Sequence, residues 1–78
     1  QVFGRLATHL LDLADNVYES DRFDLPLNRS EIADLVCSSR ETVSRLLSDL
    51  SKEQIIKVDG KHLDIVDKKR LQNISEKG

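Results

Sequence analysis

Seventy-eight residues are enough for one small domain, near the lower size at which a chain folds unaided. Only 38% are hydrophobic, with two Phe, one Tyr and no Trp, so the core must be Leu, Ile and Val. No apolar run is long enough to span a membrane and none reads as a signal peptide; one Cys excludes an internal disulfide and makes no metal site without other ligands.

Residues 2–19 predict a first helix. Val2, Phe3, Leu6, Ala7, Leu10, Leu13, Ala14 and Val17 recur at steps of three and four, and Leu11 and Tyr18 widen the stripe. Gly4 is a soft spot near its start. His9 falls beside the stripe, with no second ligand at metal spacing, and reads as a partly buried or surface side chain. Glu19–Asp24 is polar with one aromatic and reads as a loop. Pro26 restricts Leu25 to extended geometry, so Leu25-Pro26-Leu27 suits a short edge strand or an extended lead-in.

Asn28 stands three residues before Glu31, the spacing of an N-cap and its capping-box partner. Leu27 and Ile32 complete a hydrophobic staple. A second helix is therefore expected from Arg29 to about Val36, with Ile32, Ala33, Leu35 and Val36 on its apolar side. Cys37-Ser38-Ser39 forms a corner. Ser39 caps a third helix from Arg40 to about Lys52, with Val43, Leu46, Leu47 and Leu50 facing inward; Glu41 suits the positive end of that helix. Ile55–Val58 is β-branched, Asp59-Gly60 signals a hairpin turn, and His62–Val66 alternates as a returning strand with Leu63 and Ile65 on one face. Asp67 can cap a last helix from Lys68 to about Ser75, packing Leu71 and Ile74, with Ser75–Gly78 fraying. A helix-turn-helix followed by a hairpin is a winged helix: mainly α with a small β-hairpin wing, one domain over 1–78.

The third helix has an apolar back and a front of Arg40, Glu41, Ser44, Arg45, Ser48 and Lys52, which suits the reading of a DNA major groove. Charge gives mild support. The net charge is −2, but residues 1–38 hold three basic and seven acidic groups, whereas 39–63 hold five and four. That is a weak dipole without a basic stripe, so affinity for phosphates must come from placed contacts. Arg pairs with guanine O6 and N7, and Glu accepts from cytosine N4. Ser38, Ser39 and Thr42 stand where helix N–H groups and hydroxyls suit a phosphate. Arg29 and Ser30, opening the second helix, and Lys57, Lys61 and His62 around the wing turn could hold others. Spacing supports the motif: Ala33 is the small residue where two helices cross, Cys37 lies at the corner, where a positive φ is usual, and Val43 and Leu46 plug the angle. Lys68-Lys69-Arg70 reads as a solvated face.

Ser39-Arg40-Glu41-Thr42-Val43-Ser44-Arg45, the Leu-rich helix that follows and the hairpin with Gly60 resemble the C-terminal DNA-binding domain of the Crp/Fnr family of bacterial transcription regulators. Gly4-Arg5-Leu6-Ala7 and Asp67-Lys68-Lys69-Arg70-Leu71 extend the likeness over nearly the whole chain. The resemblance implies base contacts from Arg40, Glu41, Ser44 and Arg45, and a half-site with a TGA core. Arg40 matches the cyclic-AMP branch and Ser44 the oxygen-sensing branch. It further implies a cytoplasmic protein whose N-terminal sensor and dimerisation helix lie outside this fragment, a homodimer on palindromic double-stranded DNA, and RNA polymerase as a partner, met by the Glu19–Asp24 loop. No cofactor is expected in this fragment, since the effector belongs to the sensor. The chain also lacks Met and opens straight into a helical pattern, as a fragment would. Two departures from the family pattern stand out: Cys37 where Gly is common, expected as a small buried corner residue, and acidic Asp59 at the wing. A winged helix serving protein–protein contact is the alternative, favoured by the acidic composition. An enzyme is not expected: Ser38, Ser39 and His62 lack an oxyanion loop and a third partner, and there is no phosphate-cradling Gly loop.

Overall fold

The computed structural model describes residues 1–77. Helix α1, Val2–Asp12, continues through a π-helical stretch, Leu13–Val17. Strand β1 is Arg22–Asp24, helix α2 Arg29–Leu35 and helix α3 Arg40–Lys52. Strands β2, Ile56–Asp59, and β3, His62–Ile65, form the wing, and α4 spans Lys68–Lys77. The fold is a winged helix-turn-helix, with a three-stranded antiparallel sheet in the order β1-β3-β2.

The core is aliphatic apart from Phe23. Leu6, Leu10, Ile32, Val43, Leu47, Leu50, Leu63 and Leu71 are buried, and no polar or charged residue is buried among those described. Alternation places Ile56 opposite Ile65 and Phe23 opposite Leu63 toward this core. The opposite sheet face carries Asp24, Lys57, Asp59, His62 and Asp64, as the two-residue side-chain period requires. α4 packs along α1 through Leu71, and Thr8 and Ser75 share a hydroxyl hydrogen bond of 2.6 Å.

Several expectations need correction. The first helix does not run evenly to residue 19. The Tyr18 N–H donates to Leu13 O, a span of five residues, and this wider turn rotates later positions off the α register. Val17 is consequently 57% exposed and Tyr18 lies flat on Phe23, with ring centroids 5.2 Å apart. The expected loop over Glu19–Asp24 contains β1, whose Phe23 is buried. Leu25–Leu27 is the lead-in rather than the strand. Leu35, assigned to the apolar side of α2, is 55% exposed. The turn of the wing is Gly60-Lys61, because Asp59 still pairs with His62 in the ladder. Gly60 has φ +61°, the arrangement of a hairpin turn with glycine at its first central position. Ser75–Lys77 remain helical; the fraying expected at Gly78 lies outside the described residues.

The first three helical segments, α1 with its π-helical extension, α2 and α3, each leave through a non-glycine residue in the left-handed region: Glu19 at φ 51°, Cys37 at 59° and Gln54 at 60°. At Cys37 the bonding is that of a Schellman motif. Ser38 N–H donates to Ala33 O at 2.8 Å and Cys37 N–H to Asp34 O at 3.3 Å. Gln54 repeats it, with Ile55 N–H on Leu50 O and Gln54 N–H on Ser51 O, and buried Ile55 packs beside that exit.

Candidate nucleic-acid interface

The helix-turn-helix is held by local chemistry. The Asn28 side chain accepts from Glu31 N–H and Glu31 Oε1 accepts from Asn28 N–H, both at 2.9 Å, so α2 begins with a complete capping box. Ser39 caps α3: its Oγ accepts from Thr42 N–H at 3.1 Å and lies 3.0 Å from Thr42 Oγ1. Ala33 is buried where α2 and α3 cross, and Val43 is wholly buried in the angle. Leu46 is only partly buried at the edge of the core. Cys37, expected to be buried, is exposed.

With Val43, Leu47 and Leu50 turned inward, α3 presents Arg40, Glu41, Ser44, Arg45, Ser48 and Lys52 outward, and all six are exposed. Positions 41, 44, 45 and 48 lie on one helical face. Among the described residues, no side-chain hydrogen bond or ion pair engages Arg40, Glu41, Ser44 or Arg45. Glu41 and Arg45, four apart, are therefore not paired with each other.

The candidate phosphate contacts divide. Ser38, Ser39 and Thr42 gather at the N-terminus of α3, with Ser39 and Thr42 already bonded to one another. Arg29, Ser30, Arg40 and Lys61 line one groove of about 690 Å³ between the starts of α2 and α3 and the wing tip. Arg29 Nη2 donates to Gly60 O at 2.8 Å, so its guanidinium is partly engaged by the wing. Lys57 and His62 stand elsewhere, on the outer face of the sheet. His62 Nδ1 lies 3.0 Å from Asp24 Oδ1 and Nε2 3.1 Å from Asp64 Oδ1. The hydrogen bond to Asp24 above all raises its pKa; some burial of the ring opposes this, and Asp64 adds to the rise. Its positive form is thus favoured, but two carboxylates already offset that charge.

Two residues of the basic run of α4, Lys68 and Arg70, are engaged within the molecule. Lys68 bridges Asp15 and Asp21, and the Asp15 hydrogen bond leads in raising its pKa. Arg70 donates to Glu53 O at 2.9 Å and pairs with Glu53 Oε1 at 3.1 Å. Arg29's bond to the wing and these two bridges join residues far apart in sequence, so local spacing could not reveal them.

A family model for the Crp-like helix-turn-helix domain matches residues 4–74. The chain belongs to the Crp/Fnr family. Among its relatives is a CRP-like cAMP-activated global transcriptional regulator of Mycobacterium tuberculosis, 39% identical over 72 residues, covering 87% of this chain and 32% of the relative. The transcriptional activator FnrL of Cereibacter sphaeroides is 46% identical over 50 residues, covering 63% of this chain and 20% of that protein. The solved structure of FixK2 from Bradyrhizobium japonicum superposes with a TM-score of 0.87 at 31% identity, over 95% of this chain and 38% of that one. The chain thus spans between 20% and 38% of the length of these relatives. No helix of the described residues is long and apolar enough to cross a membrane.

Proposed function

We propose that this Crp/Fnr domain binds double-stranded DNA and reads it through α3, with Arg40, Glu41, Ser44 and Arg45 at base edges of a TGA-containing half-site. The observation that carries this reading is the exposed row on α3, unengaged by side-chain hydrogen bonds or ion pairs at Arg40, Glu41, Ser44 and Arg45 among the described residues, and backed by buried Val43, Leu47 and Leu50. Unengaged Arg and Glu heads have no internal bonds to break before meeting guanine and cytosine. Ser38, Ser39 and Thr42 at the start of α3, with Ser30 and Lys61 across the groove, would set the depth against phosphates. Arg29, Lys57 and His62 complete the candidate set, although Arg29 and His62 are partly committed within the protein.

Two copies on a palindrome would place their α3 helices about 34 Å apart, one turn of DNA. With a net charge of −2 the single domain should bind weakly, and dimerisation supplies the missing affinity. RNA polymerase would meet the Glu19–Asp24 segment of a DNA-bound regulator. The reading assigns no enzymatic role.

Binding by a dimerised form of the chain to TGA-containing palindromes at low salt tests the reading. Arg45→Ala should relax base preference and cost about 1–3 kcal/mol on the preferred site, whereas Lys61→Ala should weaken all sequences alike. No preference among duplexes in wild type would overturn it. That result would favour the second reading, a protein–protein module, which the acidic balance and the Asp24, Asp59 and Asp64 face of the sheet support.

A further inference from the structure

We infer that Arg29 is a positioning residue: it braces the wing tip at a set distance from α3, so that Lys61 meets DNA in register with the recognition helix. The inference rests on the DNA-binding reading above, but the brace itself exists without DNA.

The two turn residues of the wing, Gly60 and Lys61, present carbonyls beyond the end of the β2–β3 ladder. Left to solvent, they would let a two-residue turn at the end of a narrow hairpin sway. Both are instead taken by the lead-in to α2 and its first residue. Leu25 N–H donates to Lys61 O at 2.7 Å, and Arg29 Nη2 to Gly60 O at 2.8 Å. The donors sit on firm ground. Leu25 is buried, and the capping box fixes the backbone around Arg29. A hydrogen bond from a charged guanidinium is also stronger than a neutral one.

The brace lies where the wing faces the recognition helix. On one side of Arg29 is the groove it shares with Arg40, Gly60 and Lys61. On the other is a smaller groove of about 340 Å³, shared with Ser44, Ser48, Lys52 and Val58. The side chain therefore separates α3 from the wing and sets the gap between them. The contact to the Gly60 carbonyl does not depend on the missing side chain, since a Cβ built at Gly60 meets no atom within 4 Å. The same turn needs glycine for its positive φ. The Asp59 side chain does not take over the role, since it belongs to the outer sheet face, opposite His62.

Two experiments on Arg29→Ala decide the matter. The first uses the chain without DNA. Exchange of the Leu25 amide and motion of the Gly60 and Lys61 amides are compared with a core amide such as that of Leu47. Loss of the brace should speed Leu25 exchange about tenfold while Leu47 changes little. Equal acceleration at both sites, or none at Leu25, overturns the brace. The second measures DNA affinity of the dimerised chain in a double-mutant cycle with Lys61→Ala. If Arg29 acts through the wing, each single variant loses about tenfold and the double loses little more, because an unbraced Lys61 contributes little to begin with. Additive losses near a hundredfold would make Arg29 an independent phosphate contact and overturn the proposal. Should wild type bind no duplex, the DNA-binding reading fails while the exchange experiment still decides whether Arg29 holds the wing.

Discussion

The corner of the helix-turn-helix gives a stability prediction with a definite sign. Cys37 sits at φ 59°, in the position after the C-cap of α2 where glycine is the usual residue. A Cβ in that conformation costs about 1–2 kcal/mol. Cys37→Gly removes this cost. Against the gain stands the larger conformational freedom of glycine in the unfolded chain, about 0.4–1 kcal/mol. Packing contributes little to the balance, because Cys37 is exposed. The backbone bonds of the motif, Ser38 N–H to Ala33 O and Cys37 N–H to Asp34 O, survive the change. The net expectation is a gain of about 0.5–1 kcal/mol, or about 3–6 °C in Tm for a domain of this size. Thermal unfolding followed by far-UV circular dichroism, with reductant to keep exposed thiols from pairing, measures it. Cys37→Ala is the control: it removes the thiol but keeps the Cβ, and should leave Tm nearly unchanged. If Cys37→Gly melts at or below Cys37→Ala, the corner does not hold strain and the argument fails. Gln54→Gly, at the same kind of exit from α3, should repeat the gain.

Ala33→Leu should cost about 1–3 kcal/mol by overpacking the α2–α3 crossing, where Ala33 is 3% exposed; a Tm within a degree of wild type would show that the crossing is looser than it looks. The two histidines should tilt stability in opposite directions with pH. The pKa of His62 is raised above 6.5, so its contribution is complete below 6.5 and lost as pH rises through the raised value; His62→Gln should flatten that alkaline decline in urea midpoints. His9 is lowered below 6.5, chiefly by burial, with Asp12 opposing. Its contribution is present above 6.5 and lost as pH falls through the lowered value, and His9→Gln should flatten the acid side. Unchanged pH profiles in both variants would refute these assignments.

What the sequence made legible follows from how local each cause is. The capping box at Asn28 and the Ser39 cap are decided by residues within three or four positions, and each was readable from spacing; the wing turn was readable at Gly60 but one residue out of register, since Asp59 belongs to the ladder. The inward set of α3 was readable because Val43, Leu47 and Leu50 repeat with the helix. The exits at Glu19 and Gln54 were not, since neither residue favours a left-handed φ; tertiary packing imposes it, and at Gln54 burial of the following Ile55 provides the drive. Strand β1 was hidden for a related reason. Arg-Phe-Asp carries one apolar residue, and its pairing depends on β3, some forty positions later. At the interface the exposed row of α3 was readable while its supports were not. Arg29 looked like one more cation for phosphate until its bond to Gly60, thirty-one residues away, placed it between the wing and α3. His62 looked like another until Asp24 and Asp64 closed on both ring nitrogens. In both cases residue type gave the charge correctly, and only the fold could say which partner in the protein had already claimed it. For a domain with a net charge of −2, that distinction decides how many cations remain for DNA. It is also the physical reason to look to a second copy of the domain, rather than to more basic residues within this one, for affinity.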